Sequence, residues 1–217
     1  MAVFRPKSAQ HSGSKFIGIQ PVGIVEFVDE SSKWDWADIY LRVVLKVEGS
    51  DFERSMKVAG SLERDHEGNI TGGSVLNRMY RIFDVIGCRA GVNLRGEWED
   101  EGNKSIKDIE KYLTDNFVRT GKFPDDDPKF EYLAYVYKKR PTKPGGKVYE
   151  EVWPKLALNT VAGKRNLTND INFLTKKGHI KEATVDDDAP FSTNGTASAT
   201  ASTTDLSHVE ADGIDTL

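Results

Sequence analysis

Ile39, Leu41, Val43, Leu45 and Val47 alternate with Tyr40, Arg42, Val44 and Lys46. A period of two predicts a half-buried strand with one apolar face. The strand opens a hairpin over 38–62, in which EGSD supplies the turn and FERSMKVAG the less regular return. Ahead of it, GIQPVGIVEFVD (18–29) predicts a first strand carrying a Pro–Gly turn signal. The segments 29–38 and 64–73 are polar and predict loops. Val75, Met79, Ile82, Phe83 and Ile86 then fall on one face at helical spacing, predicting a helix over 74–86. Ser74 is its expected cap and Gly87 its expected stop. Residues 91–129 look like an insertion. It holds a helix at 105–117, striped by Ile106, Ile109 and Leu113, and a turn-rich GKFPDDDP. A second hairpin is expected over 130–140 and 147–158, followed by a small helix in 164–183 that ends near Gly178.

Five strands with a helix between the third and fourth is the chain order of an OB-fold, a small Greek-key barrel. The expected class is therefore mainly β (α+β). The expected domain covers 18–182, with a loose leader at 1–17. Residues 183–217 are rich in Ser, Thr, Ala and Asp and contain one ring, Phe191. Such a stretch cannot bury enough apolar area to offset ordering entropy, so a disordered tail is expected.

Side chains alternate across a strand. In the fourth strand Phe130, Tyr132, Ala134 and Val136 share one face, and Leu133, Tyr135, Tyr137 and Lys139 the other. In the fifth, Val148, Val152, Leu156 and Leu158 oppose Tyr149, Glu151, Trp153 and Lys155. The aliphatic sets suit an interior. Tyr135, Tyr137, Tyr149 and Trp153, with Lys139 and Lys155, would then face out, unless the insertion or the last helix covers them. Rings interleaved with cations suit single-stranded nucleic acid: bases stack on rings and cations track phosphates. Duplex bases are already stacked, so such a surface favours single strands.

OB-folds bind oligonucleotides with the face of strands 2 and 3 and the loops joining strands 1–2 and 4–5. Here the first loop, DESSKWDWAD, holds Lys33, Trp34 and Trp36. The second, KRPTKPGGK, holds Lys139, Arg140, Lys143 and Lys147. Strand 2 adds Tyr40, Arg42 and Lys46 on its outer face, and strand 3 adds Lys57. Trp34 and Trp36 are expected either to stack on bases or to fold back as a plug for the barrel end.

Charge sharpens this picture. The chain of 217 residues has a net charge of -4, but positions 183–217 hold seven acids and no Lys or Arg. The remainder is therefore +3, and 129–181 alone carries 12 basic and four acidic residues. An acidic segment beside a basic one suggests a nucleic-acid binder with a charged tail. Such a tail can occupy the binding groove by charge mimicry. Its tip, with Asp212, Ile214, Asp215 and Leu217, can dock on partner proteins.

The run from GIVEFVD through DIYLRVVLKVEG to YKKRPTKPGGKVYEEVWPKLALN, with the acidic tail, resembles phage single-stranded DNA-binding proteins of the replication and recombination type. The resemblance covers 18–182 and the tail. It lies in pattern rather than in a diagnostic motif, and tails of that kind typically end in Phe where this one ends in Leu217. It implies coating of single-stranded DNA without sequence selection, and contact with DNA polymerase or helicase through the tail. It also implies the cytoplasm of an infected host cell.

Other chemistry is poorly provided for. GNITGGS lacks the Lys of a phosphate loop. His11, His66, His179 and His208 are scattered, and Cys88 is the only cysteine, so no disulfide or zinc spacing exists. No apolar run approaches a membrane span, and no signal-peptide core is visible. The expectation is a soluble intracellular protein, not an enzyme, without cofactor, metal or membrane partner. The alternative is a structural or adaptor protein of a viral assembly. Less favoured is a metal-dependent nuclease using the carboxylates of PDDDP (124–128), such as Asp125 and Asp127, or of EWEDEG (97–102).

Overall fold

The computed structural model describes residues 16–119, 128–143 and 146–183. The leader, the 120–127 stretch and the tail, including Asp212, Ile214, Asp215 and Leu217, lie outside the described residues.

β1 (Gly18–Asp29), β2 (Ile39–Val47) and β3 (Glu53–Gly60) form an antiparallel meander. A short ribbon follows, β4 (Glu63–Arg64) with β5 (Ile70–Gly72), and then helix α1 (Ser74–Ile86). A second ribbon, β6 (Gly91–Val92) with β7 (Trp98–Glu99), leads to α2 (Ile109–Phe117). β8 (Tyr132–Lys139), β9 (Tyr149–Leu158) and α3 (Val161–Lys176) complete the described chain. β8 returns to pair with β1, so the principal sheet is antiparallel with order β3-β2-β1-β8-β9. The protein is thus mixed α and β. No described helix is long and apolar enough to cross a membrane.

The alternation in β2 does what its period requires. Ile39, Leu41, Val43, Leu45 and Val47 enter the main core, where Val22, Ile24 and Phe27 of β1 and Met56 and Val58 of β3 meet them. The apolar stripe of α1, Val75, Met79, Ile82, Phe83 and Ile86, closes the same core. α1 packs against both β3 and β9. Its expected cap is corrected: Gly73 holds the N-cap position, and Ser74 is already helical. Gly87 ends the helix in the left-handed region at φ 78°, as a C-terminal glycine does.

The sheet does not close into the expected barrel. β3 and β9 lie against each other, but no backbone ladder joins them. Side chains span the gap instead: Arg54 on β3 donates from Nε (3.1 Å) and Nη2 (2.7 Å) to Glu150 Oε2 on β9. α1 fills the space below.

Two further boundaries move for local reasons. α2 begins at Ile109 rather than 105, because the Asp108 side chain caps it by accepting from Lys111 N at 2.8 Å. α3 begins at Val161 rather than 164, because the Thr160 hydroxyl accepts from Gly163 N at 3.0 Å. A Cβ at Gly163 would sit 2.1 Å from the Leu158 carbonyl oxygen, so glycine lets α3 fold back directly from the end of β9. Leu158, expected inside, is exposed at that turn.

Arg54 and Glu150 are the polar clasp between the sheet edges. Replacing Arg54 by Ala is expected to lower stability by about 1–2 kcal/mol in chemical denaturation, since hydrogen bonds to charged groups are strong but this pair is partly solvated. A loss within error of zero would show that α1 alone holds the edges together.

Candidate nucleic-acid interface

The outer face of the sheet divides into a half covered by α3 and a half over which no described helix lies. Over β8 and β9, α3 lays Leu167 and Ile171 on Leu133 and Tyr137, with Ile180 beside them, forming a second core. Tyr135, Trp153 and Leu174 pack at its margin. Tyr137 is therefore buried, and Tyr135 and Trp153 are half-buried. The two tyrosine rings stack at 5.8 Å with 8° between their planes. Tyr135 donates its hydroxyl to Glu182, and Tyr137 donates to Glu151 at 3.2 Å. These rings, expected on an open surface, are largely spoken for by the last helix, because two rows of apolar and aromatic side chains face it.

Over the outer face of β2 and β3 no described helix lies. Tyr40 points outward and the Trp loop folds down upon it. Trp34 stacks on Tyr40 at 5.5 Å and 18°, and Trp36 meets Tyr40 edge-on at 6.0 Å and 74°. The indoles are 6.5 Å apart. Tyr40 is buried by this arrangement, while Trp34 and Trp36 stay 42% and 57% exposed. Neither indole plugs an end of the sheet; both stand on its outer wall. The loop is held by specific bonds. Ser31 Oγ accepts from Tyr40 N at 2.9 Å, and Ser61 Oγ donates to the Trp36 carbonyl at 3.0 Å. Asp38 accepts from Leu62 N at 2.8 Å and pairs with Arg64 at 3.2 Å. The Leu62 amide, aided by Arg64, holds the Asp38 carboxyl below its usual range. Two pre-set indoles thus face solvent at little further ordering cost.

Between this cluster and the β8–β9 hairpin runs a groove of about 720 Å³. Trp34, Tyr40, Arg42 and Lys57 form one side, and Tyr137, Lys139 and Trp153 the other. Seven side chains expected from separate segments therefore share one groove. Sequence reasoning missed others on its wall: Glu30, Ser55, Glu150, Glu151, Pro154, His179 and Lys181. Lys181 was legible only as part of the basic stretch 129–181. Nothing in the local pattern of the three glutamates distinguishes them from solvated surface.

Electrostatically the groove is mixed. Arg42, Lys57, Lys139 and Lys181 face Glu30, Glu150 and Glu151, leaving one net positive charge. Glu30 holds Lys33 at 3.1 Å and Arg42 at 3.6 Å, and Glu151 holds Lys139 at 2.9 Å. Solvated pairs of this kind are worth about 0–1 kcal/mol each, so a phosphate can replace a carboxylate at modest cost. Lys57 and Lys181 make no ion pair among the described residues.

Other expected residues lie elsewhere. Arg140, Lys143 and Lys147 stand at the exposed hairpin tip, outside the groove wall, and Tyr149 is exposed beside them. Lys46 is half-buried on the outer face of β2, also outside the groove wall. Lys155 pairs with Asp170 of α3. Among the described residues no group of three or more His, Cys, Asp or Glu could hold a metal. Asp125 and Asp127 lie outside the described residues. In EWEDEG, Asp100 is engaged in a turn, accepting from Gly102 N and Lys104 N at 2.9 Å each. Burial raises the pKa of the Cys88 thiol.

Comparison with protein-family models, with curated proteins and with solved structures returned no match.

The covered tyrosines make a pH prediction. Desolvation first, and then the neighbouring carboxylates, raise the Tyr135 and Tyr137 phenols well above their usual range. A raised folded pKa means that the unfolded chain loses its proton first. The stabilisation is therefore complete below about pH 10, the ordinary phenol value, and is lost as pH climbs beyond it. Tyrosinate absorbance should rise in two steps, the later one shrinking in Tyr135→Phe and Tyr137→Phe. A single step at the ordinary value would contradict this packing.

Proposed function

We propose that this chain binds single-stranded nucleic acid without sequence selection, DNA in the setting of phage replication and recombination. The observation that carries the reading is the pre-stacked Trp34–Tyr40–Trp36 cluster. It leaves two indole faces exposed beside a groove furnished with Arg42, Lys57, Lys139 and Lys181. Unpaired bases gain about 1–3 kcal/mol each by stacking on such rings, and the cations follow the phosphates. The strand order β3-β2-β1-β8-β9, with its two edge strands in contact, matches an OB-type barrel opened at one seam. In that reading the groove lies on the strand 2–3 face, between the strand 1–2 loop and the last hairpin. Binding of this kind involves no covalent chemistry and no cofactor.

The tail enters as a competitor. Arg140 N donates to Lys181 O at 2.9 Å and Ala183 N to Lys138 O at 2.8 Å. The chain thus leaves the described region beside Lys139, at the groove itself. Seven acids follow within the next 34 residues. Carboxylates tethered there compete with phosphates for the same cations, and the tip with Asp212, Ile214, Asp215 and Leu217 is then available to polymerase or helicase when nucleic acid displaces it.

The adaptor reading draws on a specific observation: Glu30, Glu150 and Glu151 line the groove, and a protein partner tolerates carboxylates better than a polyanion does. Titration with oligo-dT at two salt concentrations separates the two. Binding should quench Trp fluorescence and weaken with salt, with a log–log slope of about −0.7 per phosphate neutralised. Trp34→Ala and Trp36→Ala should each cost about 1–3 kcal/mol of affinity. Absence of quenching and of salt dependence would favour the adaptor, and equal stability loss with intact binding would make the indoles structural. A parallel titration with oligo-rU reads the DNA preference.

Removing 184–217 should tighten oligo-dT binding at low salt, with the gain fading as salt rises. Unchanged or weaker binding would eliminate tail competition.

A further inference from the structure

A second cleft continues the groove. It has a volume of about 440 Å³ and lies between α1, β9 and α3. Trp153, Pro154 and His179 line both spaces, so they form the saddle between them. The saddle exists because β9 bulges. Val136 pairs with Val152 and Ala134 with Leu156, so 153–155 are three residues set against Tyr135 alone. The extra length pushes Trp153, Pro154 and Lys155 out of the ladder. Pro154 suits the position, since it has no N–H to donate.

The cleft beyond the saddle is unlike a solvated crevice. On one side stand Arg78 and Arg81 of α1, and on the other Lys155 and Phe173. Arg78 is fixed: Nη2 donates to Ala59 O at 2.8 Å and Nε to Ser74 O at 3.3 Å. Gly60 leaves room for it, since a Cβ there would lie 3.3 Å from Nη2. Arg81 is exposed. Asp170, which pairs with Lys155, is the only carboxylate on the wall, so the cleft keeps two net positive charges before His179 is counted. Phe173 is 59% exposed on the cleft wall, with Lys177 Nζ 5.8 Å from its ring centre. An exposed ring, fixed and free cations, and an apolar floor repeat the chemistry of the groove on different elements.

We propose that a single strand leaving the groove crosses the Trp153–Pro154 saddle and lays its next nucleotides in this cleft, one base against Phe173 and the phosphates toward Arg78 and Arg81. The inference rests on the single-strand reading above and extends it to a two-part path. It assigns α1 and α3, which carry none of the groove cations expected from the pattern of the chain, a direct part in binding. Charge complementarity and continuity with the groove select this occupant over an apolar peptide, which would leave the net positive charge of the wall, Arg81 in particular, unanswered.

The test uses the full-length chain and an oligo-dT series from about 4 to 20 nucleotides, read by fluorescence anisotropy at two salt concentrations. Wild type should gain affinity in a second increment once the strand is long enough to pass the saddle. Arg81→Ala and Phe173→Ala should each weaken long oligonucleotides about 5-fold or more and leave the shortest bound strand unchanged. Arg81→Ala should also lower the salt slope for long strands by about 0.7. Both side chains are exposed, so folding is preserved, which thermal melting verifies. Unchanged affinity for long strands in both variants would overturn the cleft while leaving the groove intact. The same loss at every length would overturn it too, because a continuation contributes only to strands that reach it. A wild type that binds no oligonucleotide at all would instead sink the underlying reading.

Discussion

A curled sheet has an outer wall as well as an inner one, and among the described residues one helix, α3, packs a core onto that wall. Strand alternation fills the inner side with the β2 aliphatics and the stripe of α1. On the outer side, α3 follows β9 after a two-residue turn and is held there by Gly163 and the Thr160 cap. So short a connection restricts α3 to the β8–β9 half, where Leu167 and Ile171 meet Leu133 and Tyr137. The outer face of the β2–β3 half has no described helix over it. The groove and the exposed indoles follow from that asymmetry.

The same constraint explains the division of labour among the rings. Tyr135 and Tyr137 have carboxylate partners for their hydroxyls and a helix above them, so they serve stability. Trp34 and Trp36 rest on Tyr40, and their loop is fixed by backbone and side-chain bonds from Ser31, Asp38 and Ser61. A rigid aromatic platform with solvent on its far side is suited to a flat ligand, since little conformational entropy remains to be lost on binding. Tyr40 links the roles: its backbone belongs to the central sheet and its ring is the base of the platform.

The carboxylates moderate the site. Glu30 and Glu151 pair with Arg42 and Lys139, which orients the cations but reduces the net field. In the proposed reading a polyanion binds by exchanging with these carboxylates, and the acidic residues that follow Ala183 in the sequence compete in the same exchange. Weak individual pairs make that exchange easily tuned by salt.

Much of the fold was legible along the chain. The period-two pattern of 39–47, the stripe of α1 and its Gly87 stop, and the two hairpins depend on local periodicity and glycine conformation, which a single segment expresses by itself. Convergence of Trp34, Tyr40, Arg42 and Lys57 was legible too, because those residues sit on one strand, its hairpin partner and the loop that leads into it. The coverage of Tyr137 was open, since the burial of an outward-facing ring depends on whether another element lands upon it. The carboxylates on the groove wall, the Arg54–Glu150 clasp and the bulge at 153–155 were not legible. Each joins residues far apart in the chain, and a one-dimensional pattern carries no information about which distant side chain stands opposite. Local periodicity determined the elements; the pairing of edges and the landing of α3, set by packing between distant segments, decided which surface was left open.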